Sequence, residues 1–271
     1  MNRLPTYFVS HGGGPWPWMK EQFGGAFDKL ETSLQEMARA LPEKPKAVLV
    51  VTGHWEENAF TLSSGAAPGM VYDYSGFPEH TYHVKYPAPG APELATRIQA
   101  MLQKGGVNAA LDPQRGYDHG TFTVMAPAFP DADIPVVQLS LRRDLDPKAH
   151  IDVGRLLAPL RDEGILIIGS GLSYHNLRMF NASAIAPSQA FDRWLQKALT
   201  EASPQEREQY LLHWDSAPSA RVAHPREDHL MPLMVVVGAA YEEAGSCVYH
   251  EDFFGSIAVS SFKFGSPVPS R

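Results

Sequence analysis

Short apolar runs rich in β-branched residues alternate along the chain with segments of helical periodicity, and this order limits the possible folds. Such runs, when Pro or Gly bounds them, are typical of strands buried on both faces of a sheet. They cover residues 6–9, 47–52, 134–141 and 165–170, and an alternating run at 256–264 predicts a final strand. Apolar residues recur at helical spacing at 27–41, 94–101, 156–160 and 191–199, and a last helix is predicted from about 229 to 244. The pattern predicts an α/β fold with a central, mostly parallel or mixed sheet flanked by helices on both faces.

The chain of 271 residues contains no internal repeat and no low-complexity linker. A stretch rich in Pro and Gly at residues 65–92 is the candidate domain boundary. It is also rich in aromatic residues, whereas a linker is polar and flexible. We therefore expect an ordered loop that covers part of the molecule. Residues 1–271 are expected to form a single domain.

Histidine is abundant and cysteine nearly absent, which limits the metal sites that the chain can build. There are eleven histidines and one cysteine, Cys247, so a metal would be held by His with Asp or Glu. The net charge of -7, without a basic run, argues against a nucleic-acid partner. The longest apolar stretch, residues 230–241, is too short to span a membrane, and the N-terminus lacks the apolar core of a signal peptide. We expect a soluble, cytoplasmic protein.

Three histidines follow predicted strands. His11 comes directly after the first strand, His54 after the second, and His175 shortly after the strand at 165–170. Because ligands in open α/β sheets bind outside the carboxyl ends of the strands, these side chains are expected to converge on one edge. His229, where a polar stretch turns into an apolar helix, and His119, in an Asp-His-Gly-Thr segment, are further candidates.

A cluster of imidazoles with an open coordination position suits zinc and also ferrous iron. Zinc would favour hydrolysis by a bound hydroxide, whereas ferrous iron would favour dioxygen chemistry. Composition does not choose between the two metals. A nearby histidine that is not a ligand would act as acid or base. The chain has no Gly-x-Ser-x-Gly elbow, which argues against a serine hydrolase.

Seven segments, in this order, are similar to motifs of one known family. They are Ser10–Pro15, Gly53–Trp55, Tyr72–Pro78, Lys85–Gly90, Asp118–Thr121, Tyr174–Leu177 and His224–Leu233. With them the chain resembles the class III extradiol ring-cleaving dioxygenases, in the branch that includes the 4,5-dihydroxyphenylalanine extradiol dioxygenases. Each motif is modest alone, but the ordered set spans nearly the whole chain and is specific.

The resemblance implies roles for individual residues. The metal ligands of the family correspond to His11, His54 and His229, its acid/base residue to His175, and a pocket histidine with a catalytic role to His119. The resemblance implies one Fe(II) per chain for activity, with zinc plausible in the purified protein, and a catechol-type substrate that is opened next to its diol as both atoms of O2 are inserted. Further pocket residues are expected at Trp16, Trp55, Phe77, Tyr174 and His224.

Some features depart from the family pattern or leave alternatives open. The first motif has three glycines where many members carry a bulkier residue, and Phe122 stands where Trp is frequent. Glu227 or Asp228 beside His229 is the alternative third ligand. Two other functions remain open, a zinc-dependent hydrolase on the same three histidines and a non-catalytic metal-binding relative. The chain is a possible homo-oligomer.

Overall fold

The computed structural model of the chain describes residues 3–265. Eight strands in this range form one sheet with the order β4-β3-β5-β2-β6-β1-β8-β7. They are β1 (Thr6–Ser10), β2 (Ala47–Glu57), β3 (Phe60–Ser63), β4 (Ala109–Asp112), β5 (Val136–Arg142), β6 (Ile165–Gly171), β7 (Gly245–Phe253) and β8 (Ile257–Phe264).

The centre of the sheet is parallel and its flanks are mixed. Strands β5, β2, β6 and β1 run in the same direction, so their carboxyl ends meet at one edge. Strand β8 runs antiparallel to β1, and β7 antiparallel to β8. On the other side β3 runs antiparallel to β5 and parallel to β4. The expected α/β fold is confirmed, and the sheet is of the mixed kind.

Nine α-helices lie in the described part of the chain, together with short 3-10 turns. They are α1 (Lys20–Phe23), α2 (Asp28–Arg39), α3 (Pro92–Lys104), α4 (His119–Ala128), α5 (Pro147–Leu157), α6 (Ile185–Thr200), α7 (Pro204–Leu212), α8 (Ala220–Ala223) and α9 (Met231–Ala239). None of the helices in residues 3–265 is both long and apolar enough to cross a membrane.

Two consecutive residues of β6 show that helices cover both faces of the sheet. A Cβ on Gly169 would meet Pro232 of α9, whereas the hydroxyl of Ser170 donates to the carbonyl oxygen of Gly120 in α4. Because neighbouring residues of a strand point to opposite faces, α9 and α4 lie on opposite sides. Both helices are almost entirely buried.

The last predicted helix is too long at both ends. Helix α9 spans Met231–Ala239, so His229 precedes it rather than beginning it, and a turn before β7 takes up residues 240–244. Pro232 occupies the first turn of α9, where its missing N–H costs no hydrogen bond. The consequence for function is that His229 sits in the loop between α8 and α9, against the end of β6.

Candidate metal centre and active site

Three histidines meet at the carboxyl edge of the parallel strands. His11 directly follows β1, and its backbone N–H donates to the carbonyl oxygen of Gly171 at 3.1 Å. His54 lies within β2, where the pairing with β5 shifts register between Val51 and Glu56. Such irregularities re-aim side chains and are common next to active sites. The expected convergence of His11 and His54 on this edge is therefore seen in the structure.

His229 reaches the same edge through backbone contacts with β6. Its carbonyl oxygen accepts a hydrogen bond from the N–H of Leu172 at 3.1 Å. A Cβ on Gly171 would lie 2.1 Å from that carbonyl oxygen, so only glycine permits this approach. The loop that carries His229 is thus seated on the end of β6 by main-chain packing as well as by hydrogen bonding.

The three rings point their Nε2 atoms at one another. The Nε2 atoms of His11 and His54 are 3.1 Å apart, and so are those of His54 and His229. The ligand-capable atoms of the three rings all lie within 4.8 Å of one another. Two nitrogens that each lie about 2.0–2.1 Å from a common ion are roughly 3 Å apart, so the separation fits a shared metal.

Carboxylates lie behind two of the rings and favour a hydrogen on the nitrogen that faces them. Asp228 Oδ2 lies 2.9 Å from His229 Nδ1, and Asp73 Oδ2 lies 3.4 Å from His54 Nδ1. Asp228 accepts from His229, so in the neutral ring Nδ1 carries the hydrogen and Nε2 presents a lone pair, and the negative charge of Asp73 favours the same tautomer of His54. Two lone pairs that face each other at 3.1 Å repel. A divalent cation between them removes the repulsion, so the donor set fits a metal.

Burial keeps these imidazoles uncharged. It lowers the pKa of His11, His54 and His229 well below 6.5, and the neighbouring histidines lower it further. A neutral imidazole is the form that binds a metal ion, because its lone pair is free. The electrostatics of the site therefore agree with the ligand geometry.

Two further histidines adjoin the three. The rings of His54 and His119 have centroids 3.9 Å apart, and His119 Nδ1 lies 2.7 Å from Asp73 Oδ1. The ring of His175 stacks on that of His229, with centroids 3.5 Å apart and 12° between their planes. Burial lowers the pKa of His175. Five imidazoles therefore gather at one edge, with only three of them directed at a common point.

Known proteins show the same combination of sequence and fold. The family model described as "catalytic LigB subunit of aromatic ring-opening dioxygenase" matches residues 5–260. The chain belongs to the LigB family. The family resemblance inferred from the motifs is confirmed, and so is the enzyme class, an oxidoreductase that opens aromatic rings.

Individual relatives of this LigB-family chain cover nearly all of it. A Beta vulgaris protein named 4,5-DOPA dioxygenase extradiol is 40% identical over 270 residues, 98% of each chain. A Hapsidospora irregularis protein named dioxygenase tasH is 35% identical over 99% of this chain and 88% of its own. The crystal structure of an uncharacterized Escherichia coli K12 protein superposes with a TM-score of 0.75 at 29% identity, covering 97% of this chain and all of the other.

In this LigB-family chain the two tryptophans expected in the pocket are packed behind the histidines. Trp16 is 1% exposed, and its indole N–H donates to the carbonyl oxygen of His11 at 2.9 Å. Trp55 is 4% exposed and donates to Glu57 Oε1 at 3.0 Å. Trp55 follows His54 in β2 and so points to the opposite face of the sheet. Both indoles brace the strands that carry the proposed ligands.

The other expected pocket residues divide into half-buried and buried ones. Phe77 is half-buried and packs against Tyr74, and a Cβ on Gly14 would lie 2.3 Å from its ring. The third glycine of the first motif therefore makes room for Phe77. Tyr174 is buried and donates its hydroxyl to the carbonyl oxygen of Met179 at 2.8 Å.

His224 is fully buried and belongs to none of the groups of described residues that could hold a metal ion. Its Nε2 donates to the carbonyl oxygen of Ser173 at 2.8 Å, and its ring packs between Phe191 and Trp214. Burial lowers its pKa to about 4. These contacts hold the loop before His229 against the segment that carries His175.

The two carboxylates beside His229 contact other groups and not the point that the three Nε2 atoms share. Asp228 lies on the Nδ1 side of His229, so it orients that ring. Glu227 pairs with Arg221 at 2.6 Å. The carboxylate that sequence reasoning assigned no role is Asp73, which contacts two site histidines at once. Its only sequence signal was its place in the Tyr72–Pro78 motif.

Proposed function

We propose that the chain, as one catalytic domain over residues 1–271, is an Fe(II)-dependent extradiol dioxygenase that opens catechol-type rings next to the diol. His11, His54 and His229 are the proposed ligands of a single metal ion. The observation that carries the proposal is the meeting of their three Nε2 atoms, because carboxylates behind two rings leave lone pairs directed at one point. Zinc suits the same donors and is expected to bind without supporting turnover.

Two site histidines lie outside the proposed ligand set and are free to move protons. His119 donates from Nδ1 to Asp73, which leaves the Nε2 lone pair of a neutral ring available as a base. His175 stacks on His229 with its ring parallel to that of a proposed ligand. Opening a catechol requires removal of hydroxyl protons and their later return, which is the work of such groups. Fe(II), when bound, supplies the Lewis-acid and redox chemistry that lets dioxygen react with an aromatic diol.

The aromatic side chains beside His119 suit a flat substrate ring. Tyr74 lies 5.7 Å from the His119 ring and 5.4 Å from Phe77, measured between centroids. Phe122 lies 5.6 Å from Trp18 and 6.4 Å from Tyr74. The relative from Beta vulgaris is named for 4,5-DOPA, and we propose a catechol of that general class for this chain.

Dioxygen uptake by the Fe(II)-loaded protein tests the proposal. The protein is loaded with Fe(II) without air and then given a panel of catechols and dioxygen. We expect one dioxygen consumed per catechol and a ring-opened product that carries both oxygen atoms from labelled O2. Zinc-loaded protein and a His213→Ala variant, which alters an exposed histidine at the end of α7, serve as controls.

Different results would favour the alternatives. Turnover of esters or amides by zinc-loaded protein in the absence of dioxygen would favour the zinc hydrolase and contradict the proposal. Failure of the Fe(II)-loaded protein to consume dioxygen with any catechol, with the metal demonstrably bound, would favour a non-catalytic relative. In that case His175→Ala would also leave every measurable property of the metal-loaded protein unchanged.

A further inference from the structure

Asp73 faces both a proposed ligand and a proposed proton carrier through separate oxygens. Its Oδ2 lies 3.4 Å from His54 Nδ1, and its Oδ1 lies 2.7 Å from His119 Nδ1. Oδ1 also accepts the backbone N–H of His119 at 3.0 Å. The two rings that share this carboxylate lie with their centroids 3.9 Å apart.

The backbone places Asp73 there by pairing the loop at 65–92 with the segment before α4. Met70 and Tyr117 form an isolated parallel bridge. The N–H of Val71 donates to the carbonyl oxygen of Tyr117 at 2.7 Å, and the N–H of Tyr117 donates to that of Gly69 at 2.8 Å. Asp73 follows Met70 by three residues and His119 follows Tyr117 by two, so the pairing sets them side by side.

Charge also favours a carboxylate at this position. The Asp73 carboxylate lies against His119, the first residue of α4. Backbone N–H groups and the helix dipole favour negative charge at this end of the helix. Its side chain is 19% exposed, so it remains in contact with solvent while it faces the two rings. The next carboxylate, Asp118, is fully buried and is held by Arg115 at 2.8 Å and by Thr52 at 2.9 Å. It is therefore not available to replace Asp73.

We propose that Asp73 is a positioning residue that fixes the tautomer and orientation of both His54 and His119, and so joins metal retention to proton transfer. For its effect on turnover this inference rests on the proposed function, whereas its effect on metal retention does not. The loop at 65–92 thereby becomes part of the metal centre rather than a cover alone. Displacing this loop would loosen both histidines together.

Asp228 provides the comparison on the other side of the site, because it hydrogen-bonds to His229 and lies near His175, but does not hydrogen-bond to His119. Its Oδ2 lies 2.9 Å from His229 Nδ1, and no hydrogen bond joins it to His119 in the described residues. Loss of a carboxylate behind a ligand histidine typically weakens metal binding 10- to 100-fold. Both Asp73→Asn and Asp228→Asn are therefore expected to weaken metal binding, but only Asp73→Asn should also disturb His119.

The first measurement is the dissociation constant of Zn(II), obtained by competition with a chromogenic chelator without any substrate. We expect an increase of about 10- to 100-fold for both Asn variants, because a neutral amide holds the Nδ1 hydrogen of a ligand ring less strongly than a carboxylate does. Wild-type affinity in Asp73→Asn would overturn the metal half of the proposal, whether or not any catechol is turned over. Thermal unfolding of each metal-free variant checks that it is folded.

The second measurement is kcat at saturating Fe(II) in a double-mutant cycle. Asp73→Asn should lower kcat at least about tenfold in the wild-type background and not at all in His119→Ala, because it acts through that ring. Asp228→Asn should lower kcat by the same factor in the wild-type and His119→Ala backgrounds, because it does not act through His119. Equal losses of kcat from Asp73→Asn in the wild-type and His119→Ala backgrounds would overturn the link between Asp73 and His119.

Nitrogen NMR of the wild-type, zinc-loaded protein gives an answer that needs no variant to fold. We expect His54 and His119 both to carry their hydrogens on Nδ1. We also expect a single zinc ion per chain. A hydrogen on His119 Nε2 in the neutral ring would overturn the proposal. Two zinc ions bound per chain, with one between His54, Asp73 and His119, would also overturn it, because Asp73 would then be a ligand.

Discussion

His54 and His150 are both enclosed in the fold, yet their ring nitrogens face different partners. His150, in α5, donates from Nδ1 to the carbonyl oxygen of Asp146 at 2.7 Å, and its Nε2 accepts the N–H of Arg142 at 3.2 Å. His54 has a carboxylate behind Nδ1 and two other imidazoles in front of Nε2. Burial alone therefore does not identify a ligand. A ligand is identified by the group that faces its Nε2 atom. An Nε2 atom that meets only other lone pairs, as in His54, needs a cation between them.

The largest expected effect is the loss of a proposed ligand. His54→Ala, or His11→Ala, should lower metal affinity by more than about 100-fold, beyond what loss of an outer carboxylate costs, and reduce turnover to background. Metal analysis after gel filtration and dioxygen uptake measure the two effects. Exposed His213 supplies the control variant, His213→Ala, which should keep both properties. Full metal content in His54→Ala would contradict the claim that His54, unlike His150, is a metal ligand.

Removal of a histidine that is not a proposed ligand should separate chemistry from metal binding. His175→Ala should retain its metal and lose turnover by about 10²- to 10⁴-fold, the range of general acid–base catalysis. Metal content and kcat are measured on the same preparation. A variant as depleted of metal as His54→Ala would contradict the assignment of His175 as the acid/base residue.

His150 should affect stability rather than the metal. Burial lowers its pKa to about 4 from an ordinary 6.5, so between these values the unfolded chain binds a proton that the folded chain does not. Stability is therefore full above pH 6.5 and is lost as pH falls toward 4, by about 3 kcal/mol from this residue. His150→Gln should make the free energy of unfolding, measured in urea, less dependent on pH across this window. If the free energy of unfolding depended on pH in His150→Gln as it does in the wild type, the role of His150 in this pH dependence would be contradicted.

Two glycines extend the same comparison to the backbone. A Cβ on Gly171 would lie 2.1 Å from the carbonyl oxygen of His229, and one on Gly154, in the helix of His150, would lie 2.1 Å from that of Val235. Both Gly→Ala variants should lose about 1–3 kcal/mol of stability through overpacking. Only Gly171→Ala should also weaken metal binding, measured by chelator competition. Equal metal affinities would show that the His229 loop does not depend on this contact.

Sequence patterns predicted the parallel centre of the fold better than its flanks. The runs that became β1, β2, β5 and β6 are continuous and apolar because both of their faces are buried. Strands β3 and β4 were not predicted, because four residues each give too short a pattern. Strand β7 was missed as well. Helix α4 was missed because nine of its residues are buried and it contains Pro127, so it has no polar face to create periodicity.

The sequence predicted the histidines of the candidate site that directly follow strands. The rule that ligands bind at the carboxyl ends of parallel strands grouped His11, His54 and His175. His229 came instead from its place before an apolar helix and from the family motif. The second partners were not predictable, because they depend on long-range pairing. Asp73 reaches His54 and His119 only through the bridge between Met70 and Tyr117, which leaves no periodic trace in the sequence.

The most direct test of the proposed centre is an anomalous diffraction map of crystals loaded with a single equivalent of zinc or iron. We predict one peak per chain, about 2.0–2.2 Å from the Nε2 atoms of His11, His54 and His229. A peak held instead by His54, Asp73 and His119, or by His175, Asp228 and His229, would contradict the proposed centre, since both groups also lie close enough to hold an ion.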